Sequence, residues 1–315
     1  MLFADTRAAA AELAPLDTVH RVRPDDLPPP LADLLRRLAP AGPDAEAWTG
    51  ALETHERSAV PRSLVLVVER APSSQFAALQ AALRTGDTLP DDVTCVALEG
   101  DGFRGQRGRR WAALRGNLHV CRLARLDADA AALQAALTAL PAVAAVTAIE
   151  RASAGAVVPG IKWVNDVLVT GHKVGGVLSA TQIAKERVTF ALFGIGVNVR
   201  ATPSVERDPR VAPAGSLVEL TGEDAPTLRA TTLALCAALD TCLAAVRRGE
   251  AATIVEAYRH HSLAPGRRVA LWPVDDAAPG EEPERTGTVR GVRDDLGIEL
   301  GDGTVVRTGR MTFLD

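Results

Sequence analysis

Short β-branched runs alternate with alanine- and leucine-rich stretches along the chain, and that rhythm sets the expected elements. Leu64 to Val68 is a continuous apolar run of strand length, the pattern of a strand covered on both faces. A helix is expected near Phe76 to Arg84, and strands at Val93 to Leu98 and Asn117 to Leu123 flank a Gly/Arg loop. The alanine-rich stretch Ala130 to Arg151 reads as helix pieces broken at Pro141, since proline lacks the N–H that an interior helical turn uses. Gly160 to Val169 and Lys173 to Ala180 fit a hairpin across Thr170-Gly171-His172, and Arg187 to Val199 fits a further strand. Three adjacent strands then carry polar segments.

Between 226 and 247, Leu228, Leu233, Leu235, Ala238, Leu239, Leu243 and Val246 form a helical stripe, with Asp224 and Pro226 as its start signal. A second helix near Ala251 to His260 closes the main domain. Beyond Pro265-Gly266 come the short segments Val269 to Trp272, Gly287 to Arg293, Gly297 to Leu300 and Thr304 to Thr308, which predict a small β-barrel. Residues 1 to 60 hold helix-like pieces at Thr6 to Leu13 and Leu31 to Leu38, set apart by Pro28-Pro29-Pro30 and by Pro40 to Pro43. They read as an appendage, with ordered core beginning at Leu64. No internal repeat is visible.

A length of 315 residues at 47% hydrophobic allows one large domain or two smaller ones. Thirty-five basic against 39 acidic residues leave a net charge of -4, which excludes a general attraction to nucleic acid or membrane. Cys95, Cys121, Cys236 and Cys242 lack C-x-x-C spacing and neighbouring histidines, so reduced, buried thiols are expected rather than a zinc site. Asp5 interrupts any secretory signal and no stretch reaches ~18 apolar residues, which places the chain in the cytoplasm, without a membrane.

Three segments carry candidate chemistry. Gly102 to Trp111 holds three glycines, four arginines and a closing tryptophan: glycines admit a phosphate to the backbone, arginines grip it bidentately, and the indole offers a flat face to a ring. A basic surface turn would look the same. In Gly160 to Asp166, Lys162 sits in an apolar strand context, where its charge either snorkels to water or meets an anion. Asn165 and Asp166 beside it form a turn, hold Mg²⁺ or orient the lysine. Finally, Lys173 to Leu178 and Gly194 to Val199 have glycines inside strands, marking either bulges or close approach of a ligand.

Taken together, these segments resemble the catalytic domain of biotin protein ligases. The arginine/glycine loop resembles the family's GRGRxGRxW, Gly116-Asn117-Leu118 its GNL, Lys162 to Asp166 its KWPND, Lys173 to Leu178 its KxxGIL, and Gly194 to Asn198 its GIGIN. The resemblance covers about residues 62 to 315 and implies an α+β fold: a mixed-sheet catalytic domain at 62–262 and a carboxy-terminal SH3-like barrel at 263–315, after an extension at 1–61 of unassigned role. It implies biotin and ATP as substrates, Mg²⁺ as cofactor, biotinyl-5′-AMP as intermediate, and a biotin carboxyl carrier domain of an acyl-CoA carboxylase as acceptor. A homodimer is compatible with it. Lipoate or octanoate ligation, and a non-catalytic binding relative, are the alternatives.

By the same resemblance, Ser73, Ser74, Gln75, Gly100, Arg104, Gly105, Gln106 and Lys162 hold biotin, with Lys162 and Arg104 as the catalytic pair. Arg107, Arg109, Trp111, Asn165, Asp166, Lys173 and Asn198 fall on the nucleotide side, Asp166 also being the candidate metal ligand. The chain departs from the family pattern at Gly100 (glutamine), Phe103 (the first glycine), Gln106 (the second arginine) and Val164 (proline). Loss of the arginine predicts looser retention of biotinyl-AMP. Family members that repress transcription use an amino-terminal winged helix; residues 1 to 60 are proline-interrupted, acidic around Asp25 to Asp33 and lack a basic recognition helix, so no DNA binding is expected.

Overall fold

The computed structural model describes residues 2–15, 18–23, 26–27, 29–38, 47–50, 64–205, 208, 210–272 and 282–314. Pro28, the prolines at 40 and 43, and the boundary expected at 61 lie outside them. One mixed ten-stranded sheet organises the molecule. Its strands are β1 (Leu2–Ala4), β2 (His20–Val22), β3 (Ala47–Gly50), β4 (Leu64–Ala71), β5 (Asp92–Gly100), β6 (Leu118–Asp129), β7 (Gly160–Lys162), β8 (Asp166–Val169), β9 (His172–Ala184) and β10 (Arg187–Val197), in the spatial order β2-β3-β1-β4-β5-β6-β10-β9-β8-β7. β1, β4 and β5 run parallel and the other pairs antiparallel.

Alternation along the central strands divides the core between the two faces. Val65, Val67, Val96, Leu98 and Val120 join one apolar cluster with α1 (Arg7–Leu13), α4 (Ala130–Ala152), α6 (Leu228–Arg247) and α7 (Ala252–His261). Leu66, Val68, Cys95, Ala97, Cys121 and Leu123 face α2 (Pro29–Leu38) and α3 (Gln75–Thr85) on the other. All four cysteines are free and buried, as expected. The helices α4 and α6 have the length and apolar composition of membrane spans, contrary to the sequence expectation. Both pack in the core, and that is sufficient reason for their composition.

Pro141 does not break α4. Proline at that position leaves the carbonyl of Leu137, four residues earlier, without its helical donor, and the Ser179 hydroxyl of β9 donates to that oxygen at 2.8 Å. The hairpin between β8 and β9 turns on Thr170 and Gly171, both at positive φ (46° and 81°), the primed geometry that matches strand twist. The segment from Gly160 to Val169 is not one strand, because residues 163–165 turn between β7 and β8.

At the carboxy terminus β11 (Arg268–Trp272), β12 (Arg285–Val292), β13 (Ile298–Leu300), β14 (Val305–Val306) and β15 (Arg310–Phe313) form a small antiparallel sheet in the order β14-β13-β12-β11-β15. Its closing strand β15 was not anticipated. Val269, Leu271, Val289, Ile298 and Met311 merge with the main core, and Trp163 donates its indole N–H to the Leu296 carbonyl at 2.7 Å.

Ordered core does not begin at Leu64. The described residues before it extend the main sheet by three strands, and β1 lies parallel to β4 with Leu2 opposite Val65. Just beyond β1, Asp5 accepts the Glu69 N–H at 2.9 Å and the Thr6 hydroxyl donates to Glu69 Oε2 at 2.8 Å, which fastens the segment to β4. Burial pushes the Asp5 carboxyl up from 3.8 to about 6, against the bonds it accepts from the backbone. A carboxyl whose folded value lies above its unfolded one favours folding in acid, and that contribution is lost as pH rises through about 6. Asp5→Asn retains the accepting oxygen and removes the penalty. Thermal unfolding should show the variant more stable by ~1–2 kcal/mol at neutral pH, after allowance for partial solvation. The gain should vanish below about pH 4; equal gains in acid and at neutrality would contradict the assignment.

Candidate active site

Glycines in the central strands make room for aromatic side chains of the protein itself. A Cβ on Gly196 of β10 would lie 2.3 Å from Cζ2 of Trp111, and one on Gly176 of β9 would lie 3.5 Å from the same ring. One on Gly194 would meet Phe76 at 3.0 Å. Neither a bulge nor direct ligand approach is needed for these positions: β9 and β10 run in unbroken register from Ala191 to Val197. The glycines let the Trp111 ring pack against the sheet, where it lines a cavity of about 270 Å³.

Loop 103–111 roofs that cavity. The N–H of Trp111 donates to the Phe103 carbonyl at 3.0 Å and that of Gly105 to Arg109 at 2.7 Å, so the loop closes on itself like a hairpin. Its tip is a turn over Gln106–Gly108, with Arg107 and Gly108 at φ 58° and 71°. The Arg104 guanidinium donates to the Gly108 carbonyl at 3.0 Å, and Arg109 Nε to Gln106 at 3.3 Å.

Five separated segments meet at the cavity. Ser74 and Gln75 come from the start of α3, Arg104, Gly105, Gln106, Arg109 and Trp111 from the loop, Asn165 from the turn before β8, Lys173 from β9, and Asn198 from just past β10. Ser73 is exposed and, with Gly100, Arg107, Lys162 and Asp166, is not part of the wall. Gly100 is covered: the edge of Phe103 lies 2.5 Å from where its Cβ would be, and the Ala71 carbonyl lies at 2.7 Å. The departures at 100 and 103 are therefore one structural unit, an aromatic wall over a bare backbone.

Polar groups in the wall differ in how far they are already committed. Gln75 is buried and its Nε2 has no partner among the described residues, and Ser74 caps α3 without a side-chain bond. Such groups are costly to leave unpaired, and both face the cavity. Asn198 is committed elsewhere, since its amide donates to Gly215 at 3.0 Å and accepts from Asn117 at 3.3 Å. Asn165 likewise donates to Val177 at 3.0 Å and fixes the turn between β7 and β8.

Beneath the wall lies a charge cluster centred on Asp166. Lys173 Nζ stands 2.5 Å from Asp166 Oδ1 and Lys162 Nζ 3.9 Å from Oδ2. Burial alone would raise the Asp166 carboxyl, but Lys173 and Lys162 outweigh it and hold it below the ordinary carboxylate range. Burial pushes the Lys162 ammonium down, with Asp166 opposing. Arg109 adds positive potential at both Lys162 and Asp166, and Arg310 adds it at Lys162. Among the described residues no group of three or more His, Cys, Asp or Glu side chains could hold a metal, and Asp166 is engaged by lysines.

Phe76, Phe103, His119, Cys121 and Asp208 also line the cavity and were not assigned from sequence. His119 and Cys121 had a readable signal, being two apart on a strand and so on one face. Asp208 had none, because its pairing with Arg310 of β15 at 3.2 Å is a tertiary event.

The family model described as "Biotin/lipoate A/B protein ligase family" matches residues 73–198, the span that holds most of this wall. The chain is 34% identical over 140 residues to the "Bifunctional ligase/repressor BirA" of Bacillus subtilis, covering 44% of this chain and 42% of that protein, so it spans under half of that relative's length. It is 30% identical over 225 residues to the "Biotin--[acetyl-CoA-carboxylase] ligase" of Mycobacterium tuberculosis, covering 69% of this chain and 76% of that protein. The biotin protein ligase from Aquifex aeolicus in complex with biotin and ATP shares the fold, with a TM-score of 0.58 at 20% identity over 80% of this chain and 98% of that one.

Proposed function

The chain belongs to the biotin protein ligase family, within the biotin/lipoate A/B protein ligases, and on that premise we propose that it activates biotin with ATP and transfers it to a carrier lysine. The observation that carries this reading is the convergence of five segments on one cavity with an apolar floor, two uncommitted polar groups and a cationic rim of Arg104, Arg109 and Lys173. An acid whose body is apolar and whose carboxylate must meet a triphosphate needs that combination.

In the first step the biotin carboxylate attacks the α-phosphorus of ATP, forming biotinyl-5′-AMP and releasing pyrophosphate. In the second the amine of the acceptor lysine attacks the acyl carbon, loses a proton and expels AMP, leaving an amide. Gln75 Nε2 and Ser74 meet the polar head of the acid, Phe76 and Phe103 enclose its apolar body, and Arg104, Arg109, Lys162 and Lys173 offset the oxyanions that crowd together in the adenylation. Mg²⁺ would arrive on the nucleotide's phosphates. The described residues offer it no cage of their own. The acceptor is the lysine of a biotin carboxyl carrier domain of an acyl-CoA carboxylase, encountered in the cytoplasm, and the carboxy-terminal sheet is assigned to an SH3-like barrel.

ATP–pyrophosphate exchange tests the reading. Stimulation by biotin supports it; stimulation by lipoate or octanoate in biotin's place would move the chain to the sister acids, and silence with all three would leave a binding relative. Retention of the intermediate gives a second test. Gln106 stands at the loop tip where the family pattern has arginine, and one charge-assisted contact to a phosphate changes retention by roughly tenfold. Gln106→Arg should lower biotin labelling of a bystander protein by that factor while carrier labelling persists. Equal bystander signal from the two forms would refute it.

A further inference from the structure

Trp111 is held by a side chain for which the proposed reaction has no use. Its indole N–H donates to Nδ1 of His119 at 3.3 Å, and the other ring nitrogen, Nε2, lies 3.1 Å from the Leu114 carbonyl. An indole nitrogen only donates and a carbonyl only accepts, so both contacts require one state of the imidazole: neutral, bare at Nδ1 and protonated at Nε2. Burial favours the same state, pushing His119 down to about 4 against the opposing bond to Leu114. Phe103 packs edge-on against the imidazole, with ring centroids 5.7 Å apart, and the glycines at 176 and 196 set the floor beneath the indole. The tryptophan thus packs on a bare backbone, pinned at its nitrogen, and lines the cavity.

We propose that His119 is a positioning residue, which fixes the tilt of the Trp111 ring so that its free face can stack a planar substrate group, the purine of the nucleotide. The proposal rests on the reading of this cavity as an adenylation site. A ring face gains its contact energy only when held parallel to its partner, and stacking of a base on an aromatic side chain is worth enough to change affinity by about tenfold. Glycine floors alone would let the indole swing about its χ angles. A single neutral acceptor at a fixed point removes that freedom without putting a charge beside the purine.

The test uses the full chain and three substitutions. His119→Phe keeps the ring and its packing on Phe103 but has no acceptor; His119→Asn offers an oxygen near Nδ1; His119→Gln reaches instead toward Leu114. The Trp111 indole N–H resonance should move in His119→Phe and His119→Gln and stay near its native position in His119→Asn. This readout does not depend on activity. In exchange assays the KM for ATP should rise about tenfold in His119→Phe, with kcat and the KM for biotin within about twofold, and His119→Asn should recover most of the loss. An unmoved resonance in His119→Phe, or a KM for ATP equal to that of the native chain, overturns the positioning role. A moved resonance in a protein without any biotin-dependent exchange would keep the bond but overturn the reading of the site on which the proposal stands.

Discussion

Lys162→Ala is expected to lower biotin-dependent ATP–pyrophosphate exchange by ~10²–10³, the usual loss when one fixed donor aimed at developing negative charge is removed. The expectation follows from what this lysine lacks. Its ammonium is buried, makes no hydrogen bond among the described residues, and stands 3.9 Å from its closest anion, whereas Lys173 contacts the same carboxylate at 2.5 Å. A poorly solvated cation whose only neighbouring anion is already engaged retains most of its attraction for a further anion. It lies behind the cavity wall, beside Asp166, where its charge adds to the positive potential that substrate oxyanions would meet. The fold should survive, because Asp166 keeps Lys173, and removing a desolvated ammonium also removes a cost. The melting temperature should therefore change little while exchange collapses. Lys162→Arg should not rescue the rate, since a planar fork cannot take the place of a compact ammonium in a buried slot. If exchange stayed within about threefold of native, the electrophilic role would pass to Lys173, which already lines the cavity.

What could be read in the chain without coordinates divides by range. Patterns of period two and 3.6 located the central strands and the helices that pack on them, since each depends on neighbours a few residues away. The turn at Thr170-Gly171 was legible because its positive φ angles favour such residues. Pro141 misled because its compensation comes from Ser179, 38 residues further on in sequence, through a hydroxyl that no local pattern announces. Three-residue strands such as β1 carry too little periodicity to distinguish from loop, and only the parallel pairing with β4, more than 60 residues away, reveals it. At the site, the motifs identified which segments converge but not which atoms are free. Asn198 proved committed to Gly215, Lys162 stands behind the wall instead of in it, and Gly100 is covered by Phe103. His119 escaped notice because its value lies in a partner, Trp111, that reaches it across the loop.

Asp166→Ala should be the most damaging substitution to the fold of the site. This carboxylate is the shared counter-ion of the buried Lys162 and the half-buried Lys173, and Arg109 adds positive potential to it. Deleting it leaves both lysines without the charge that offsets them, and breaking a buried pair in this way costs ~3–5 kcal/mol, roughly ten degrees of melting temperature in a chain of this size. Exchange should fall with it, because neither lysine would keep its position. Lys173→Met added to Asp166→Ala tests the cause: removing the stranded ammonium should recover part of the stability, so the two substitutions should cost less together than the sum of each alone. Simple additivity would show that the pair is not coupled and that Asp166 acts through shape. The acid limb gives an independent check. A carboxyl held below its unfolded value stabilises the fold at every pH above the ordinary range near 3.8 and loses that contribution only as pH falls through its lower folded value. The stability difference between the native chain and Asp166→Ala should therefore persist to about pH 4 and close only in stronger acid, whereas the difference at Asp5 has already disappeared by the same point.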